Sequence, residues 1–147
     1  MDDRITKERI PVSRIRDIFN AMNRETTHLV DELYEPGVLF VDPFHRIEGH
    51  AALRAYYARM YAGVQSIRFD FSGETVGDDD LVLYWTMTYR HARLRGGKPV
   101  SLEGCSRLVY GDTGRIALHR DYFDAGALLY EHVPLLGRVV RFVRERV

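Results

Sequence analysis

Two hydrophobic periods divide the chain. Up to about residue 62 apolar side chains recur every three or four positions, and from there to residue 123 they alternate, so helices come first and strands follow. Pro11 suits the first turn of a helix, where its missing N–H costs nothing, and Ile15, Ile18, Phe19 and Met22 continue at helical spacing. Thr26 or Thr27 caps a second short helix running to Leu33, with Leu29, Val30 and Leu33 on its buried side. Pro36-Gly37 turns the chain into an apolar strand, Val38 to Val41. This strand breaks at Asp42-Pro43, because proline removes a ladder donor and holds its predecessor extended. After a brief loop, Leu53, Tyr56, Tyr57 and Met60 mark one face of a third helix, which Ala62-Gly63 ends.

The later strands are equally legible. From Ser66 to Glu74, Ile67, Phe69 and Phe71 alternate with Arg68, Asp70 and Ser72; from Leu81 to Ala92, Leu81, Leu83, Trp85, Met87 and Tyr89 share one face. Turns at Gly77–Asp80, Gly96-Gly97 and Gly111–Gly114 separate these from strands over Pro99–Tyr110 and Arg115–Phe123. Helices followed by hairpin-connected strands give an α+β domain with an antiparallel meander. Residues 1–10 read as a frayed segment, residues 11–124 as the domain, and residues 125–147 as an amphipathic helical extension. In that extension Leu136, Val139, Val140, Val143 and Val147 form a stripe opposite Arg138, Arg141, Arg144 and Arg146. Packing on the domain or on a partner subunit is the favoured reading of this stripe, with a membrane surface as the sharper alternative.

Composition narrows the function classes. The 147 residues hold 21 Lys and Arg against 21 Asp and Glu, without the basic excess of a nucleic-acid binder. Cys105 is the single cysteine, so no internal disulfide forms, and lacking a helix terminus beside it this thiol reads as core or near-core. The acids in MDDRITKERIP and the lack of a long apolar run lead us to expect a cytoplasmic protein. His45 and His50 match no compact metal spacing and Asp78–Asp80 lacks the other ligands of a calcium loop, so neither a metal nor a cofactor is expected.

The stretch Gly37–Tyr61, with its strand, Asp42-Pro43, Gly49 and aromatic-faced helix, resembles the SnoaL-like and ketosteroid-isomerase-like group of the nuclear transport factor 2-like superfamily. The run His119-Arg120-Asp121-Tyr122-Phe123-Asp124 is similar to the last strand of that superfamily's limonene epoxide hydrolase. With the hairpin order, the resemblance spans residues 11–124. It implies a sheet curved into a cone, N-terminal helices closing an interior pocket, and pairing as a homodimer through the outer sheet face. Isomerases, hydrolases, cyclases and plain binding modules all use this fold.

Candidate chemistry follows from the residues and the resemblance together. Asp42, flanked by Phe40 and Phe44, corresponds to the general base of ketosteroid isomerases, whose carboxylate works from a partly apolar pocket. Those isomerases also need a first-helix tyrosine and a protonated strand acid; here that helix offers Ile15, Ile18 and Phe19, and the strand position falls near Ser106. Steroid isomerisation as such is therefore not expected. Asp121 corresponds to one aspartate of the hydrolase's Asp-Arg-Asp set, but gapless alignment puts Thr88 at the arginine and Arg90 at the second aspartate. Only a gap at Gly96-Gly97 lets Arg90 supply the guanidinium.

Strand alternation puts His119, Asp121 and Phe123 on one face, where imidazole and carboxylate can form an acid/base dyad with Asp42 as a third member. A satisfied structural histidine, with Asp121 tying down the C-terminal segment, is the competing reading. Tyr56, Tyr57, Trp85, Met87 and Tyr89 are core or, in a hollow cone, the lining that selects an apolar ring-containing ligand. Phe19, Phe40, Phe44, Ser106 and Phe123 join them as ligand contacts. The expected function is binding of an apolar small molecule, with cofactor-independent acid/base catalysis on it. The alternative is a non-catalytic ligand-binding or homodimeric assembly module.

Overall fold

A computed structural model describes residues 7–128 and 136–146. Helix α1 (Val12–Ala21) buries Ile15, Ile18 and Phe19, and α2 (Leu29–Leu33) buries Leu29, Val30 and Leu33, as the helical spacing predicts. Strand β1 (Tyr34–Val41), the short β2 (Arg46–Glu48) and helix α3 (His50–Ala62) come next. Strands β3 (Val64–Val76), β4 (Asp80–His91), β5 (Val100–Tyr110) and β6 (Ile116–Phe123) follow, then α4 (Ala125–Leu128) and α5 (Leu136–Arg144). The sheet order is β2-β1-β6-β5-β4-β3.

The meander β3 to β6 pairs antiparallel throughout, while β1 lies parallel to β6 with Phe40 opposite His119. The six strands thus form a mixed, curved and unclosed sheet. Register slips at Val64/Ser66 and Phe71/Gly73 against β4, and at Val109/Tyr110 against β6, insert extra residues that bend the strands. The helices α1, α2 and α3 pack on the concave side, where the apolar face of every strand points.

Around β1 the structure differs from the sequence expectation in two features, and α2 is entered through His28 with no side-chain cap from Thr26 or Thr27. The loop after Asp42 contains β2, whose Ile47 pairs with Phe40, because Asp42 holds a tight turn: its N–H donates to the His45 carbonyl at 3.0 Å and its Oδ1 accepts from the Phe44 and His45 N–H groups, each at 2.7 Å. Three residues are too few for a period to be seen. Strand β1 also starts at Tyr34 and runs through Pro36-Gly37, with an irregularity in its pairing between Tyr34 and Leu39. Gly49, at φ +84°, lies in the left-handed region that a side chain disfavours, and it carries the chain from β2 into α3.

Along β4 and β6 the interior changes character. Leu81, Leu83, Leu108 and Ile116 are fully enclosed and make solid core, whereas Trp85, Met87, Tyr89 and Phe123 border a hollow. On the outer face Tyr84, Cys105 and Tyr122 sit side by side across three strands, with both tyrosines exposed and Cys105 half-buried, so the cysteine belongs to the sheet's outer surface. Val147, assigned above to the C-terminal stripe, lies outside the described residues.

Candidate functional site

The hollow is a cavity of about 500 Å³, a size that suits a small organic ligand. Helix α1 contributes Phe19, the β1 end contributes Phe40, Asp42 and Phe44, and α3 contributes Tyr56 and Tyr57. From the sheet come Trp85, Met87, Tyr89, His119, Asp121 and Phe123. Every expected contact residue except Ser106 therefore lines one space, which the strand and helix periods require once both layers face each other. Tyr34, Tyr61, Phe69 and Leu128 also line it and were not singled out in the sequence.

Polar groups run through this aromatic wall as one connected chain. Trp85 Nε1–H donates to Ser106 Oγ at 2.9 Å, and the Ser106 hydroxyl donates to Asp121 Oδ1 at 2.5 Å. His119 Nε2 lies 2.7 Å from the same oxygen, and His119 Nδ1 lies 2.6 Å from the Tyr34 hydroxyl, which is itself 3.2 Å from that of Tyr57. With Asp121 ionised the carboxylate only accepts, so Nε2 carries the proton facing it, and in the neutral imidazole Nδ1 then accepts from Tyr34. Burial, above all, pushes the Tyr34 and Tyr57 phenols well above the usual tyrosine range, which keeps both as donors. The imidazole is clamped sideways as well: Phe19 stacks on it at 5.5 Å and 7°, and Phe40 meets it edge-on at 4.9 Å.

Asp121 faces the cavity differently from its partners. Its Oδ1 is engaged twice, while Oδ2 has no hydrogen bond among the described residues, and the side chain keeps 18% of its surface against 4% for His119. A carboxylate that lines an apolar chamber, with one oxygen held and the other without a hydrogen-bond partner among the described residues, is equipped to take or give a proton. Ser106 is the residue that holds it. Although Ser106 does not border the cavity, it is fully buried and couples Trp85 to Asp121.

Asp42 is placed otherwise than in the expected triad. It lines the cavity, yet Oδ1 serves the turn N–H groups and Oδ2 accepts from the Tyr56 hydroxyl at 2.9 Å. His45 Nδ1 adds a contact at 3.1 Å, and only 5% of the Asp42 side chain remains exposed. Among the described residues no hydrogen bond joins Asp42 to His119 or Asp121; its bonds belong to the turn and to Tyr56. Burial, with the Asp42 charge second, holds the Tyr56 phenol well above its ordinary range.

Thr88 and Arg90 both lie on the outer sheet face. Thr88 bonds Ser101 at 2.8 Å and Arg90 is exposed, so neither brings a guanidinium to Asp121. Among the described residues no cluster of three or more His, Cys, Asp or Glu side chains is arranged to hold a metal ion. His45 and His50 serve separate partners: His50 contacts the Tyr34 carbonyl at 2.7 Å and Asp31 at 3.1 Å.

Solved structures share this architecture. A protein of Jannaschia sp. CCS1, provisionally assigned as a SnoaL-like polyketide cyclase, superposes with a TM-score of 0.69 at 19% identity, over 80% of this chain and 85% of its own. A protein with a ketosteroid isomerase-like fold from Catenulispora acidiphila DSM 44928, crystallised with trimethylamine, gives 0.69 at 14% identity, over 80% and 88%. The LEH-like epoxide hydrolase of M. tuberculosis gives 0.66 at 22% identity, over 90% and 95%. At these identities the likeness is one of fold. No curated protein matches the chain. The SnoaL-like domain matches residues 15–119, most of the chain, and this protein belongs to that family.

Proposed function

We propose that this protein binds an apolar, ring-containing small molecule in the cavity and performs cofactor-independent acid/base chemistry on it, with Asp121 as the proton-transfer group and His119 as its charge-orienting partner. One observation carries the reading: Asp121 lines an aromatic chamber with its Oδ1 held by Ser106 and His119 and its Oδ2 without a hydrogen bond among the described residues. Desolvation around a bound ligand strengthens every electrostatic interaction of that carboxylate. The fold's known uses, among them polyketide cyclase-type proteins and an epoxide hydrolase-like enzyme, are compatible with proton transfer at such a group. Asp42 serves here as a wall and turn residue that fixes Tyr56.

Trp85 is the only tryptophan and lines the cavity, so its fluorescence reports occupancy directly. Titration with cyclic carbonyl and epoxide compounds is expected to quench or shift it in the wild type and in Asp121→Asn alike. Turnover of the bound compounds is expected in the wild type and lost by about 100-fold or more in Asp121→Asn. Equal turnover in the two proteins would remove Asp121 from the chemistry. Binding without turnover in the wild type would leave the ligand-binding module as the function.

A further inference from the structure

We propose that α5 docks this protein on an anionic lipid surface. Among the described residues the rest of the chain leaves much of the stripe uncovered: Leu136, Val139 and Val143 are 45%, 54% and 53% exposed, and Phe142 beside them is 52% exposed. Helical spacing puts Leu136, Val139, Val140 and Val143 on one face. Around and opposite that face stand Arg138, Arg141, Arg144 and Arg146, with Glu145 as the single acid, in a chain whose 21 basic and 21 acidic residues balance. Positive charge thus accompanies the apolar stripe that α5 shows solvent.

Both halves of the helix fit the boundary of an anionic bilayer. The apolar face enters the acyl boundary, while the long arginine stems let their guanidinium groups reach headgroup phosphates. Arg146 already packs over the Phe142 ring at 3.8 Å, an arrangement that keeps its charge at the edge of the apolar face. No helix among the described residues is long and apolar enough to cross a membrane, so the contact is with the surface.

The helix is also tied to the cavity rim. Arg144 pairs with Asp124 at 3.2 Å, and Asp124 Oδ1 accepts the Gly126 and Ala127 N–H groups at the start of α4. Leu128 at the end of α4 lines the cavity, and its carbonyl accepts from the Tyr89 hydroxyl at 2.6 Å. Resting on the ligand-binding reading, docking through α5 would hold this rim beside the phase in which an apolar ligand concentrates.

Vesicle sedimentation tests the docking independently of any ligand. The full chain is mixed with phosphatidylcholine vesicles with and without phosphatidylserine, at low and high salt. It is expected to sediment with the phosphatidylserine vesicles at low salt and to be released by high salt. The double variant Val139→Asp, Val143→Asp should lose binding, and Arg138→Glu with Arg146→Glu should weaken it by about tenfold or more. Both variants should keep the wild-type thermal midpoint and Trp85 emission. Failure of the wild type to sediment at low salt, equal binding to phosphatidylcholine alone, or unchanged binding by the Asp variant would each overturn the proposal. So would sedimentation velocity without lipid showing a wild-type dimer that the Asp variant dissociates, which would assign the stripe to a second copy.

Discussion

Replacing Tyr34 by phenylalanine removes one oxygen from the centre of the buried polar chain and nothing else. Tyr34 is 1% exposed, and its hydroxyl serves His119 Nδ1 at 2.6 Å and Tyr57 at 3.2 Å. The ring stays, so no large cavity forms; the cost comes from His119 Nδ1, left without a donor in a side chain that is 4% exposed. Stranding a buried acceptor costs about 1–3 kcal/mol, and the weaker contact to Tyr57 adds to the upper end. With a urea slope of about 1–3 kcal/mol per molar, the unfolding midpoint should fall by roughly 1 M. Nitrogen-15 NMR of the imidazole supplies the second readout. In the wild type Nε2 should carry the proton and Nδ1 should be the acceptor, and in Tyr34→Phe this preference should weaken because only Asp121 still selects a tautomer. An unchanged midpoint together with a wild-type Nδ1 proton in the parent protein would refute the hydrogen-bond directions assigned here.

Asp42→Ala removes the acceptor of the Phe44 and His45 N–H groups and of the Tyr56 hydroxyl, and should lower stability by about 2–3 kcal/mol in urea titration. An equal loss of stability with turnover per folded molecule preserved would mark it as structural. Alkaline unfolding should be steep: unfolded tyrosines ionise near about pH 10, whereas Tyr34, Tyr56, Tyr57 and Tyr61 are raised above that by burial. Their stabilisation is complete below pH ~10 and declines as pH climbs through the folded values, by about 1.4 kcal/mol per pH unit for each group, and Tyr57→Phe should flatten the decline. In Gly104→Ala, a methyl group would meet the Trp85 ring and come within 2.7 Å of the Tyr122 carbonyl oxygen. A loss of about 1–3 kcal/mol and a shifted Trp85 emission are expected, and an unshifted spectrum would show that the ring has room to give.

Hydrophobic periods in the sequence marked the longer helices and strands and the facing of their side chains, though not the three-residue β2. Period-two alternation in β3 to β6 assigned Trp85, Met87, Tyr89, His119, Asp121 and Phe123 to one surface, and helical spacing did the same for Phe19, Tyr56 and Tyr57. Such periods are local, set by backbone geometry within a few residues, so they can be read without knowing what lies opposite. Tyr34 escaped notice for a related reason: it sits at the junction of α2 and β1, where neither period holds, and only the packed core shows that its hydroxyl meets His119. The role of Asp42 turned on contacts that no spacing encodes, a turn closed by His45 and a hydroxyl delivered from α3. Tertiary structure alone decided that β1 runs parallel to β6, bringing Phe40 onto the His119 ring across 79 residues of chain. It also left the α5 stripe exposed. Pairing between distant segments depends on bulges, loop closure and the fit of whole layers, and those are properties of the assembled chain.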